Sequence, residues 1–286
     1  MLQEIQPYEF SNEFKTESMK DTDYILMYQN NSIYCKIQGN QLMVPRVGEI
    51  QHIDIEKKFK LNKCRFLFYI DDVSYYLADV ELEEVGEWKY IDTQEYRYME
   101  PAHTVYAAAV GEHLNRWYKD NKFCGRCGQV QVDSEKERAL VCPSCGKITY
   151  PKICPSIIVA ICDGDRILLT KYRNRPNKKH SLVAGYVEIG EGIEQTVHRE
   201  VMEETGLKVK NLKYYKSQPW PFSDALLMGF FAELDGDDQI TLQEDELAEA
   251  AWYNREDIPY NPSKLSLTNE MIEVFHTGKE KEIFGK

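Results

Sequence analysis

The chain has 286 residues, eight of them cysteine, with a formal net charge of −12 at pH 7 and 43% hydrophobic residues. That length predicts two domains with real cores and room for a small insert, and the negative balance excludes holding a long polyanion by bulk attraction, so no DNA partner is expected. No opening apolar run resembles a secretory signal and no run of about 18 apolar residues could span a bilayer, so a cytoplasmic protein without a membrane partner is expected, its cysteines not a disulfide framework.

Residues 1–119 predict a β-rich N-terminal domain ending in a connector helix. The runs Asp23 to Tyr28, Ser32 to Ile37 and Cys64 to Ile70 are short, aromatic and β-branched, and are bounded by turn formers. Cys35 and Cys64 lie in apolar runs and read as small buried hydrophobes. Pro101 suits the first turn of a helix, and Val105, Ala108, Ala109 and Trp117 recur at helical spacing.

Residues 120–150 carry Cys124 and Cys127, then fourteen residues, then Cys142 and Cys145, each pair followed by a glycine. Two such knuckles fit a tetrahedral four-thiolate site, so one structural Zn²⁺ per chain is expected. All four positions are filled by protein, which leaves none for a catalytic water. The segment mixes Arg126, Lys136 and Arg138 with Asp133, Glu135 and Glu137, so it is not a basic nucleic-acid face.

A third domain is expected over 151–286. Ser156 to Cys162 is a near-continuous apolar run and predicts a buried strand. Asp163 to Asp165 turns the chain, and Arg166 to Thr170 returns. Lys171, Arg173, Arg175, Lys178 and Lys179 then make a positive loop, either solvated or a landing site for phosphates. His180, Cys154 and Cys162 read as structural.

The stretch Gly185 to Leu207 carries most of the chemistry. Glu200, Glu203 and Glu204 stand at i, i+3 and i+4, so a helix puts three carboxylates on one face. Arg199 is one turn from Glu203 and can offset part of their repulsion, and Glu191 lies at the positive end of the helix dipole. Gly206 suits a left-handed cap. Several hard oxygen donors at the edge of a core suit Mg²⁺ or Mn²⁺. Beyond them, Leu212 to Tyr215 predicts a strand, and Ser217 to Phe222, with two prolines, predicts a rigid loop that presents Trp220 and Phe222 for ring stacking.

The spacing Gly185, Glu191, Arg199-Glu200-Val201, Glu203-Glu204 and Gly206-Leu207 resembles the Nudix box. With the four-cysteine ribbon upstream and Ser-Gln-Pro-Trp-Pro-Phe downstream, the chain resembles the NADH pyrophosphatases, also called NAD-capped RNA hydrolases. The resemblance implies an α+β fold, with a Nudix α/β/α sandwich around a mixed sheet. It implies metal ligation by Glu200, Glu204 and Glu246, with Glu203 a further ligand or a base, and zinc ligation by the four cysteines. It places Tyr150, Tyr186, Gln218, Pro219, Trp220, Pro221, Phe222, Ser223, Asp224, Ala225 and Thr268 at substrate-contacting positions, and it implies a homodimer. The chain departs from the family pattern at Ser223-Asp224-Ala225, where a proline and a hydroxyl are usual. Tyr186 also stands where the family has phenylalanine.

The expected function is therefore metal-dependent hydrolysis of the pyrophosphate of NAD(H), to nicotinamide mononucleotide and AMP, and of the NAD cap of RNA 5′ ends. Two rivals remain at this stage: a Nudix pyrophosphatase for ADP-ribose or dinucleoside polyphosphates, and a non-catalytic zinc-ribbon protein that binds nucleic acid.

Overall fold

The computed structural model describes residues 1–15, 18–54, 58–173, 180–243, 245, 247–259 and 265–285. The chain divides into two compact units. One comprises Gln3–Lys152 with Pro221–Asp224; the other comprises Met1–Leu2, Ile153–Trp220 and Ala225–Lys286. The ribbon thus counts with the N-terminal residues.

In the N-terminal unit, the expected run 23–28 is split into strands Tyr24–Leu26 and Tyr28–Gln29, which join different sheets. Tyr24–Leu26 lies in a four-stranded sheet with Val73–Ala78, Cys64–Ile70 and Phe10–Ser11, and Tyr28–Gln29 pairs Ser32–Gln38. Ile25, Met27, Tyr34, Phe66 and Tyr76 share one core cluster, so the aromatic and β-branched runs are strands because each buries a face. The connector is the helix Ala102–Asp120, with Pro101 as its N-cap. Its Gly111 admits Leu26 and the Tyr28 hydroxyl to within 2.5 Å of where a Cβ would stand, and Tyr28 donates to the Ala108 carbonyl at 2.7 Å. The ribbon adds a three-stranded sheet, Val132–Asp133, Leu140–Val141 and Ile148–Thr149.

The second unit is built on six strands: β1 Cys154–Asp163, β2 Arg166–Tyr172, β3 Val183–Tyr186, β4 Val209–Trp220, β5 Ala225–Leu234 and β6 Leu247–Asn254. Their order is β4-β5-β1-β2-β6, with β3 paired to β1. β1 and β5 run parallel and the other pairs antiparallel, so the sheet is mixed. β1 is apolar over residues 157–162, where both its faces are covered. Ile157, Val159 and Ile161 pack with Val197 and Val201 of helix α1, Ile193–Thr205. Ile158, Ala160 and Cys162 pack on the other face with Leu267, Met271 and Phe275 of helix α2, Leu267–His276. Strand alternation thus makes three layers from one apolar run.

One expectation is corrected. The Ser217 to Phe222 stretch does not leave the sheet at Ser217. β4 runs through Trp220, with Pro219 opposite Leu226 and Trp220 opposite Ala225. Only Pro221–Ser223 forms a short 3₁₀ turn. β4 is an edge strand, and proline is tolerated there because its missing N–H removes no inner ladder bond.

Candidate active site

The Nudix-box carboxylates sit on α1, which Gly206 ends in the left-handed region at φ 70°, its N–H donating to the Met202 carbonyl at 2.9 Å. Glu200, Glu203 and Glu204 of α1 are not equivalent. Glu200 is 9% exposed and Glu204 1% exposed, beside Val197 and Val201, whereas the Glu203 side chain is 52% exposed. Two buried carboxylates one turn apart are costly without a compensating charge.

Their surroundings explain the glycine that opens the box. A Cβ on Gly185 would stand 2.0 Å from Glu200 Cδ and Oε1. Gly185, on β3, is therefore the floor under the Glu200 carboxylate, and its own carbonyl accepts from the Ser156 hydroxyl at 2.8 Å. The Tyr172 hydroxyl lies 3.5 Å from Glu204 Oε1, 3.4 Å from the Leu182 carbonyl and 3.3 Å from that of Ala184.

Arg199 does more than pair with Glu203. Its guanidinium reaches Glu191 at 2.6 and 2.9 Å, Glu200 at 2.7 Å, Glu203 at 2.9 Å and the Tyr186 carbonyl at 3.0 Å. The hydrogen bonds from Arg199, with the Glu188 N–H, hold the Glu191 carboxyl down at about 2, and Glu191 in turn raises the Arg199 guanidinium. One fork thus ties the box loop to the helix. Sequence spacing pointed only to the Glu203 pair; the other contacts depend on how the loop folds back.

The remaining expected residues fall in both units. Tyr186 is half exposed at the end of β3. Thr268 is the second residue of α2 and partly buried. Gln218 is fully buried, its amide bonded to the backbone of Leu265 and Leu267. Pro219 and Trp220 are partly buried on β4, and Ala225 is buried at the start of β5. In the N-terminal unit, Tyr150 is exposed and donates to Glu137 at 3.1 Å. Pro221, Phe222, Ser223 and Asp224 belong to that unit as well. Asp224 adopts φ 56°, and its carboxylate lies 2.7 Å from Arg116, 3.4 Å from His113 and 3.8 Å from Lys152. Arg116 also donates to the Pro221 carbonyl and to buried Glu112. Glu246 lies outside the described residues, as do Arg175, Lys178 and Lys179 of the positive loop. Lys171 of that loop is taken up by Glu249 at 2.6 Å, and His180 by the Tyr253 hydroxyl at 3.0 Å.

The two cysteine knuckles are copies of each other. Cys124 N–H donates to the Gln129 carbonyl and Cys142 N–H to that of Lys147, while Gly128 and Gly146 N–H groups return to the carbonyls of Cys124 and Cys142. Both glycines have positive φ, 74° and 70°. The Arg126 N–H lies 3.4 Å from Cys124 Sγ and holds that thiol down at about 6. All four sulfurs lie within 4.8 Å of one another, with Cys124 and Cys145 3.6 Å apart and Cys127 and Cys142 3.4 Å apart. A Zn–S bond of about 2.3 Å gives a tetrahedral edge of about 3.8 Å, so the thiols fit zinc with a shift of a few tenths of an ångström.

Two family descriptions match the chain, "NADH pyrophosphatase zinc ribbon domain" over residues 119–150 and "NUDIX domain" over residues 152–275. A protein of Mannheimia succiniciproducens named NAD-capped RNA hydrolase NudC is 43% identical over 194 residues, which span 65% of this chain and 72% of that one. The chain belongs to the Nudix family, in its zinc-ribbon branch. Proteins of the same name from Citrobacter koseri and Escherichia coli K12 are each 45% identical over 166 residues, so the match spans 58% of this chain and 64% of theirs. A solved Nudix hydrolase from Nitrosomonas europaea aligns with 56% of this chain and 93% of its own at 23% identity, with a TM-score of 0.49. The Nudix box is thus the β3–α1 segment, and its Glu191, Glu200 and Glu203 meet at Arg199, with Glu200 over Gly185. Among the described residues, no helix is long and apolar enough to cross a membrane.

Proposed function

We propose that this Nudix protein hydrolyses the pyrophosphate bond of NAD(H), and of an NAD cap on RNA, to a nicotinamide mononucleotide end and AMP or an AMP-ended RNA. The observation that carries this reading is the buried pair Glu200 and Glu204 on one turn of α1, with the Glu200 carboxylate laid over Gly185. The relatives' shared name supplies the substrate class.

Hard oxygen donors and two buried carboxylates fit Mg²⁺ or Mn²⁺, which Glu200 and Glu204 would hold with Glu203 and Glu246. When bound, such a cation supplies charge for the diphosphate and lowers the pKa of the attacking water. The protein's own part is positioning. Gly185 and Arg199 fix Glu200, and α1, packed on β1 through Val197 and Val201, fixes Glu204. Glu203, paired with Arg199 but more exposed than its neighbours, lies where it would reach the solvent side of a bound diphosphate. Tyr186 and Trp220 offer ring faces to the nicotinamide, and Thr268 of the same unit adds a further substrate contact. The protein acts as a homodimer in the cytoplasm, where reduced cysteines suit a zinc thiolate site rather than disulfides.

The test is incubation with NADH and Mn²⁺, following AMP, for wild type and Glu204→Gln. Wild type should release AMP, and the variant should lose at least 100-fold in kcat while staying folded. Equal turnover by the two proteins sinks the assignment. Wild-type activity on ADP-ribose with none on NADH would favour the general pyrophosphatase.

A further inference from the structure

Gln218 is 0% exposed, two residues before Trp220 on β4. Its Oε1 accepts from the Leu267 N–H at 2.7 Å, and its Nε2 donates to the Leu265 carbonyl at 3.0 Å. One N–H and one C=O on the partner side fix which way the amide faces. Leu267 is the first residue of α2, and its N–H is one of the helix donors that no intrahelical carbonyl can reach. The Ser266 side chain takes a different one, that of Asn269 at 3.3 Å. Gln218 therefore completes the cap from the sheet.

Two neighbouring features bind the same helix to the same sheet. Gly229 on β5 carries no side chain between sheet and helix, because a Cβ there would come within 2.9 Å of Met271 Sδ and 3.1 Å of Leu267 Cδ2. Tyr215 and Lys216 on β4 hold Glu270 at 2.7 and 2.5 Å. Gly229 lets the helix lie close, but an apolar contact of this kind does not fix position along the helix axis. A directional amide bonded to both sides of the cap does. An apolar side chain in this slot would take the acceptor from the buried Leu267 N–H, so the amide serves the cap and the register together.

We propose that Gln218 is a positioning residue, setting the start of α2, and so Thr268, against the strand that carries Trp220. This rests on the NAD(H) reading above. By strand alternation Gln218 and Trp220 project from the same face of β4, the face that α2 covers. Gln218 acts through the helix and does not read the ring itself. The ring platform and the Thr268 backbone hold one ligand only if strand and helix keep this register.

The experiment compares wild type with Gln218→Met, which keeps length and removes both bonds. Three quantities are read: kcat and KM for NADH, and hydrogen exchange of the Leu267 amide. The expected result is a KM raised about tenfold with kcat changed less than twofold, and Leu267 exchange faster by about tenfold while α1 amides are unaffected. A lower melting temperature with unchanged KM overturns the inference, since the amide would then serve packing alone. A raised KM with unchanged Leu267 exchange also overturns it, because Gln218 would then touch substrate directly. If Gln218→Met does not fold, Gln218→Glu, which keeps the acceptor and loses the donor, is judged by the same criteria. A wild type that releases no AMP from NADH sinks the functional reading and this inference with it, whereas an active wild type with an unaltered variant sinks only the inference.

Discussion

Gly185→Ala separates the site's chemistry from its fold more cleanly than any carboxylate substitution. The new methyl carbon would lie 2.0 Å from Glu200 Cδ and Oε1 and 2.4 Å from Oε2. Restoring ordinary contact at 3.4 Å requires the carboxylate to retreat by roughly 1.4 Å. The atoms in the way are the far end of one flexible side chain, so the backbone need not move, and alanine at a strand end carries no conformational penalty. The stability change should be about 1 kcal/mol or less, a shift of a few degrees in melting temperature for a unit of this size. The displaced carboxylate also strains its 2.7 Å bond to Arg199. A misplacement of about 1 Å in a catalytic group costs about 100-fold, and a lost ligand costs more, so kcat should fall 100-fold or more. The assay is AMP release from NADH with Mn²⁺, beside a thermal melt and a Mn²⁺ titration followed by electron paramagnetic resonance. Mn²⁺ should bind more weakly to the folded variant. A variant with wild-type Mn²⁺ affinity and turnover would refute the placement of Glu200 at the reaction centre, and one that unfolds would show that the glycine serves the fold.

Cys142→Ser should remove zinc, found at about one per chain in wild type by elemental analysis, and lower the melting temperature, because ligation and local folding are coupled; zinc-free protein with unchanged stability would contradict this. Glu191, held down at about 2 from an ordinary 4.5, is deprotonated more readily folded than unfolded. Its contribution to stability is therefore present above about pH 4.5 and lost as pH falls towards 2, and Glu191→Gln should flatten the acid limb of a metal-free stability profile over that window. An acid limb unchanged by the substitution would assign it to other groups. Trp220→Ala should raise KM for NADH by about tenfold to a hundredfold and leave ADP-ribose little changed, as expected if a ring stack worth about 1–3 kcal/mol is lost. Equal loss on both substrates would mean that Trp220 supports the sheet edge and not the nicotinamide.

Much of the chemistry is local and was therefore written in the order of residues. The two cysteine pairs, each followed by a glycine at positive φ, specify matching knuckles wherever the chain goes next. The i, i+3, i+4 glutamates and the Gly206 cap follow from helical period alone. The apolar run of β1 likewise announced a strand covered on both faces.

The tertiary structure decided what depends on partners distant in sequence. Only the crossing of β3 under α1 puts Glu200 against Gly185, and only the folded loop brings Glu191 to Arg199. The stretch around Pro219 reads as a loop because proline breaks ladders, yet it is strand because β4 takes the sheet edge, a fact about strand order that no local pattern contains. Gln218 and Asp224 read as members of one substrate loop. Burial assigns the first to the start of α2, and the left-handed turn at Asp224 delivers the second to Arg116 and His113. Spacing along the chain fixes which groups share an element; the packing of elements fixes which of those groups meet, and with what.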